Sequence, residues 1–532
     1  MQRLMRTLGR IDGKYYKACE DIVGTYKQGS IFLEILTYPK DPFAPAGRFV
    51  VSFPKKWYPE EFHCDKIARL SLSHFLAKKA SELNDRWVKI YPPTNVFLER
   101  TNCVISSRIE LRFDYHIPAN GRKILGRKAK DMFRNIVNFI ENLKYDKLSE
   151  DDRKLLKSYK NTLEDEMLIR KKMKGEYIAF IANGSVLPRE GNSRKPMKDA
   201  KPFVSPKEFE VSFDTKHHGT ITGMGIEKGK FTVITGANYH GKSTLLEAIA
   251  HGIYNHVPGD GREFVITSGE VFFTSKENRR VINNVDVSQF IKNVPGGADT
   301  KHFYTLSSSG SASQAAAISE AIENEVDGIL IDEDDSAVNI LIKSKELSRI
   351  IPKELEPVTP LIKKIRAFSN LGITPILVVG ALGEFLPLAD NIIMMKNFEP
   401  HKLSVDKISD EQYLERPLSR VPKEFYVKKT KTIGKDEIIL KGKKRITVDL
   451  RGDIHKTIVE RGQVYALADA VVYATKYMNG KRTMKKIVDK VMNDISSNGL
   501  DVIGGKYKNY SMFTRHQLFY VLSHISAIEM VK

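Results

Sequence analysis

Cysteine is scarce in this sequence. Three residues, Cys19, Cys64 and Cys103, stand far apart with no CxxC pair among them. That excludes a disulfide framework and a cysteine-held zinc site, and it fits a reducing compartment. Long apolar runs are missing as well, since nothing approaches the ~18 uninterrupted residues that a membrane-spanning helix needs. The nearest stretch, 374–395, is broken by Gly380, Gly383, Glu384, Asp390 and Asn391, so it reads as strand, loop and strand. A transporter with its own integral membrane segment is excluded. The three arginines of the first ten residues are followed by no cleavable apolar core, and the reading is a cytoplasmic protein. Internal repeats and long low-complexity tracts are absent. Acidic residues are in deficit, 65 against 85 basic, which gives a formal net charge of +20. Such a balance favours polyanionic partners, nucleic acid ahead of an anionic membrane surface.

The chain has 532 residues, enough for about three domains. Residues 1–200 mix short strand patterns with helical ones and read as an α+β domain. Helical spacing runs over 64–83, 129–143 and 150–175, and an alternating strand pattern over 105–113. A polar stretch punctuated by proline, 191–202, marks a boundary. Apolar strands then alternate with helices over 201–405, the signature of an α/β core. Residues 406–532 read as a basic linker, with Lys423, Lys428, Lys429, Lys431, Lys435, Lys441, Lys443, Lys444 and Arg445, leading into a mainly helical domain.

Residues 236–243, GANYHGKS, match G-x-x-x-x-G-K-[ST] without a gap. The β-rich run FTVIT precedes them and a helical pattern with Leu245, Leu246, Ile249 and Ile253 follows, which is the strand–loop–helix context the motif requires. In that setting the backbone of Gly236, Ala237, Asn238, Tyr239, His240 and Gly241, with Ser243 and Thr244 at the helix start, wraps the phosphates of ATP. Lys242 reaches the β- and γ-phosphates and Ser243 binds Mg²⁺. A second apolar strand, GILI at 328–331, ends in Asp332 and Glu333. A carboxylate at a strand end can hold Mg²⁺, which suits Asp332, and its neighbour Glu333 can polarise an attacking water. Between the two strands lies LSSSGSASQ at 306–314, where Ser309, Gly310 and Ser311 feed an Ala-rich helix and form a second anion-binding turn.

In this order the motifs resemble those of ABC ATPases. The serine–glycine turn stands where the signature does, and SAVN at 336–339, with Asn339, resembles the D-loop. GALGE at 380–384 follows the final strand, where the resemblance calls for a switch histidine, and no histidine is there. Gln289, between the phosphate loop and the serine–glycine turn, is the candidate Q-loop glutamine, with a surface glutamine as the alternative. Phe213 is the candidate aromatic ring for stacking on adenine.

The likeness extends along the whole chain, through IDGKYYKA at 11–18, DPFA at 41–44, ANG at 182–184, YNHVPGDGRE at 254–263, VDVSQFI at 285–291, PGG at 295–297 and ALADA at 466–470. It resembles the family described as predicted ATPases of the ABC class, which includes an ATPase of a kinetoplastid mitochondrial RNA-binding complex. The resemblance implies a central P-loop NTPase domain of ABC type with N- and C-terminal flanking domains. It also implies a homodimer holding ATP at its interface, and nucleic acid, RNA foremost, as partner. Arg108, Arg112, Arg122, Lys123, Arg127 and Lys128, with Phe113, Tyr115 and His116 interleaved, are the candidate contacts to a single strand. The alternative function is a slowly hydrolysing, nucleotide-switched assembly protein that binds no nucleic acid. A repair ATPase with long arms does not fit, because the span from Lys242 to Ser309 leaves no room for them.

Overall fold

A computed structural model describes residues 1–191, 193–277, 279–352, 355–442, 444–505 and 508–531. Lys443 of the basic stretch lies outside the described residues. The chain forms two compact units, Met1–Glu164 with Leu500–Met512, and Asp165–Gly499 with Phe513–Lys532. Among the described residues no helix is long and apolar enough to cross a membrane.

The first unit is built on a six-stranded antiparallel sheet. Its central strands, Gly47–Pro54 and Arg108–Tyr115, pair along their full length. The strand expected over 105–113 is two elements, Cys103–Ile105 turning back onto Arg108–Tyr115. Aromatic residues fill the core: Phe49 stacks on Phe113 with centroids 5.0 Å apart, and Tyr115 and Phe133 meet Phe49 edge-on. The helices lie close to their expected places, at Lys66–Ala80, Gly126–Asn142 and Glu150–Met173. Asp65 caps the first of them by accepting the Ala68 N–H at 2.8 Å. Residues Gln2–Arg10 form a helix that buries Leu4 and Leu8 in this unit.

The second unit holds a six-stranded sheet in the order Val271–Phe273, Gly328–Asp332, Thr374–Val378, Thr232–Thr235, Asn391–Lys396, Glu399–Lys402. The first five strands are parallel and the last is antiparallel. Parallel strands buried on both faces read as continuous apolar runs, which is why these segments were legible. Helix Lys242–His251 shares one apolar cluster with this sheet and with a four-stranded antiparallel sheet that includes Tyr177–Ala182 and Thr220–Glu227. Leu245, Leu246 and Ile249 are fully buried there, so the helix start is fixed in space.

The segment read as a basic linker is ordered. It folds into a three-stranded antiparallel sheet, Lys429–Ile433, Glu437–Lys441 and Arg445–Asp449. The central strand buries Ile438, Ile439 and Leu440 in a row, while the two outer strands alternate, with Lys429, Lys431 and Arg445 exposed and Val448 buried, a pattern that the charge count obscured. Helices Arg461–Ala474, Met484–Asn498 and Arg515–Ser523 follow, as the helical reading expected.

In the first unit Arg112 is buried and meets Asp501 through two bonds, Nη1 to Oδ1 at 2.9 Å and Nη2 to Oδ2 at 2.8 Å. Burial would lower the Arg112 pKa, but the bonds and charge of Asp501 outweigh it and raise it. Removing the guanidinium strands a partly buried carboxylate. Arg112→Met therefore lowers unfolding stability by about 3 kcal/mol, and adding Asp501→Leu recovers most of it. Denaturant titration of the full chain with both variants measures the pair.

Candidate phosphate-loop site

Strand Thr232–Thr235 ends at Gly236, whose φ of +131° is open to glycine but strained for other residues. A Cβ there would also run into the carbonyl oxygen of Met395 on the neighbouring strand. The loop passes through Tyr239 at φ +66° and Gly241 at φ +92°, and the helix begins at Lys242. Lys242 is buried, and its ammonium donates to the carbonyls of Gly236 at 2.8 Å and Ala237 at 3.0 Å. His240 Nδ1 accepts the Asn397 N–H at 3.0 Å, which ties the loop to the hairpin between the last two strands. The helix N-terminus, its amides and the lysine make a positive cradle that suits a polyphosphate.

Strand Gly328–Asp332 emerges at the same sheet edge, and ligands of open α/β sheets gather at that edge. Ser243 Oγ donates to Asp332 Oδ2 at 2.7 Å. Burial raises the Asp332 carboxyl above its ordinary pKa, with the Ser243 hydrogen bond acting against it. A hydroxyl and a carboxylate converging beside the phosphate cradle fit a hydrated Mg²⁺, which supplies charge neutralisation when bound.

Glu333 turns the other way. Its Oε2 accepts the backbone N–H of Gly380 at 2.7 Å, Ala381 at 3.0 Å and Leu382 at 3.2 Å. The turn that lacks the switch histidine is thus a backbone nest for the second carboxylate. Gly380 also borders the cradle, because a Cβ on it would stand 4.0 Å from Lys242 Nζ. Sequence reading missed this contact, since backbone donors carry no residue signal.

Ser309 caps helix Gly310–Glu323 by accepting the Ala312 N–H at 3.3 Å. Ser311 Oγ donates to Asn339 Oδ1 at 2.8 Å. Gln314 is buried below them, donates to Ser336 Oγ at 2.8 Å, and accepts the Ala337 N–H at 2.8 Å. The turn at 309–311 and the segment 336–339 are therefore tied together by hydrogen bonds. Two apolar side chains flank it in solvent, Leu306 and Val338, each 60 % exposed.

Two of the expected assignments find other partners. Gln289 bonds Lys364 at 3.2 Å and Glu415 at 3.3 Å, neither of them part of the cradle. Phe213 is buried against Phe180 and Tyr177, with no face open to a base. The exposed rings near the loop are Tyr239 and Phe398, the latter held at φ +67° with its edge facing Gly241.

The basic candidates separate into two groups. Arg112 is consumed by Asp501, and Arg108 donates to Ser30 and Ser52 while lying 4.8 Å over the Phe32 ring. Phe113 and Tyr115 belong to the core. Arg122, Lys123, Arg127 and Lys128 are exposed, Arg122 pairing with Asp41 at 3.1 Å. The aromatic rings beside them are ones that sequence reading passed over. Tyr15, which bridges to Lys123, is 69 % exposed, and Phe43, whose N–H caps on Asp41, is 88 % exposed.

Comparison with known proteins agrees with this geometry. Residues 152–428 match the P-loop domain model of ABC ATPases, residues 1–146 the N-terminal model of ATPases of the ABC class, and residues 429–530 the MRB1590 C-terminal domain. An uncharacterized protein of Methanocaldococcus jannaschii, MJ1628, is 30% identical over 327 residues, 59% of this chain and 70% of that one. Among solved structures, cbiO1 from Clostridium perfringens, part of the ABC transporter complex cbiONQ, is 17% identical with a TM-score of 0.26, covering 42% of this chain and 87% of that one. A metal-chelate type ABC transporter in an inward-facing conformation is 13% identical, also at 0.26, covering 43% and 83%. At those scores neither likeness bears on function.

Gly236→Ala combines a forbidden φ with a backbone collision, whereas a Cβ on Gly383 meets nothing. Binding of a fluorescent ATP analogue is expected to fall at least about tenfold in Gly236→Ala, a loss of about 1.4 kcal/mol or more, and to be unchanged in Gly383→Ala.

Proposed function

The chain belongs to the ABC class of P-loop ATPases, and from that premise we propose that it hydrolyses ATP as a homodimer and couples the nucleotide cycle to binding single-stranded nucleic acid, RNA foremost. The observation that carries the reading is the divided pair at the strand end, Asp332 toward Ser243 and Glu333 toward the 380–382 nest. Lys242, the loop amides and Thr244 hold the phosphates. Ser243 and Asp332 hold Mg²⁺. Glu333 keeps Oε2 on the nest and orients the attacking water with its other oxygen. Ser309, Gly310 and Ser311 of one protomer close on the γ-phosphate held by its partner, with Asn339 fixing that turn. The exposed Leu306 and Val338 around the turn give the two copies an apolar surface to bury. The protein acts in the cytoplasm.

Glu333→Gln keeps an oxygen for the three N–H donors and loses the charge. Its turnover is expected to drop by about 10²–10³-fold while ATP binding persists and the dimer accumulates. Steady-state phosphate release together with light scattering in ATP checks this. Turnover equal to wild type removes Glu333 from the reaction.

The nucleic-acid surface is the exposed group Arg122, Lys123, Arg127 and Lys128, with Tyr15 and Phe43 as stacking platforms in place of the buried Phe113 and Tyr115. Helix Gly126–Asn142 opens with cations where its dipole favours anions, an arrangement that a bound phosphate relieves. Replacing all four cations by alanine is expected to reduce the salt slope of single-stranded RNA binding by about 3, at about 0.7 per phosphate contact. Fluorescence anisotropy across a salt series reads the slope. An unchanged slope, or no RNA binding by the wild type, leaves the nucleotide-switched assembly protein as the function.

A further inference from the structure

A second cavity, of about 540 Å³, lies in the larger unit among side chains that the ATPase reading leaves unused. One wall is the segment after strand Val271–Phe273, with Ser275, Lys276, Glu277 and Arg280. Another is the end of strand Arg445–Asp449 and the turn after it, with Arg451, Asp453 and Lys456, and helix Arg515–Ser523 closes it with Tyr520, next to His524. The volume lies within the ~300–1,000 Å³ of small-molecule sites.

Buried polar atoms without partners collect at this wall. Arg280 is 4 % exposed and gives Nη2 to Glu320, while its Nε and Nη1 have no hydrogen-bond partner. Asp453 is 1 % exposed, and its Oδ2 accepts the Ser275 N–H at 3.0 Å while Oδ1 has none. His524 gives Nδ1 to the Tyr520 carbonyl at 2.7 Å and turns Nε2 toward Glu277 at 3.7 Å. Buried polar atoms are paired in the great majority of native structures, so two such side chains on one cavity point to a group that completes them. Glu277, by contrast, is saturated, accepting the Tyr520 hydroxyl at 2.9 and 3.0 Å and the Asp453 N–H at 2.6 Å.

We propose that this cavity is a binding site for a small phosphate-bearing molecule, separate from the phosphate loop. Five cationic side chains line it, Lys276, Arg279, Arg280, Arg451 and Lys456, and the acidic ones are Glu277, Asp335, Asp449 and Asp453. Burial and the charge of Glu277 push the Asp453 carboxyl well above the ordinary carboxylate range, which favours its hydroxyl form and leaves the remaining balance positive. A tetrahedral anion has enough oxygens to meet the buried guanidinium, the Asp453 hydroxyl and a rim ammonium together, which a planar carboxylate has not. Few apolar groups line the cavity beyond the Tyr520 ring and Val281, so a polar molecule of sugar-phosphate size suits it. Lys456 pairs with Asp335, and Lys276 Nζ donates to the Asp334 carbonyl at 3.2 Å, so the rim touches the loop directly after Glu333.

The test is isothermal titration calorimetry of the full chain carrying Lys242→Ala, which disables the phosphate loop, with inorganic phosphate, ribose 5-phosphate and citrate as probes. Saturable one-to-one binding of the two phosphates, weakened about tenfold by Arg451→Ala with Lys456→Ala and retained in Asp453→Asn, supports the site. The paired rim variant changes only partly exposed side chains and keeps the fold. The proposal is overturned if neither phosphate binds the Lys242→Ala chain, if the rim variant leaves affinity unchanged, or if citrate binds as tightly. None of these outcomes depends on ATP hydrolysis.

Discussion

Successive residues at a strand end point to opposite sides, and the site depends on that constraint. Asp332 and Glu333 close strand Gly328–Asp332 and separate at once, one to Ser243 across the phosphate loop and the other to the turn at 380–382. Strand Thr374–Val378 lies between the strand of Asp332 and the strand that feeds the loop. Its C-terminal turn is therefore placed to meet both. The parallel register, Asp332 beside Val378 and Ile234 beside Val378, puts all three strand ends level. A slip of one residue would take Asp332 out of the slot facing Ser243.

Helix Gly310–Glu323 is anchored at its far end with comparable economy. Arg420 donates to Glu323 at 2.9 Å, Glu320 at 3.2 Å and Ser523 at 2.9 Å, and Arg280 meets Glu320 from the other side, all of them buried. Desolvating these charges offsets much of their attraction, so the network adds less to stability than its geometry suggests. What it does fix is register: carboxylates one helical turn apart can each satisfy a guanidinium in one orientation of the helix. That orientation sets where Ser309 and Ser311 present their hydroxyls. Arg280 belongs to this network and to the second cavity alike, so the helix that carries the serine–glycine turn and the cavity wall share a side chain.

The parallel core was legible because continuous apolar runs, a glycine loop and an acidic strand end are each local signals. Helix boundaries came within a few residues for the same reason. The N-terminal cation assignment was legible only in part. Arg112 and Arg122 look alike in sequence, and the difference between them is Asp501, hundreds of residues away, which buries one and leaves the other in water. Phe113 and Tyr115 alternate with charges as platforms would, yet that alternation marks the core face of a strand. The C-terminal sheet was hidden for the opposite reason, because outward lysines dominated a pattern whose buried isoleucines defined the strands. The nest at 380–382 could not be read at all, since its donors are peptide groups and its side chains are incidental.

That nest bears on how an ABC-class site works without a switch histidine. A histidine senses the γ-phosphate with its side chain and reports to the carboxylate nearby. Here a single stretch of backbone borders both groups, Gly380 facing Lys242 and the three N–H groups gripping Glu333 Oε2. All three bonds use the same oxygen, so the nest orients the carboxylate and leaves Oε1 free of that grip to meet water.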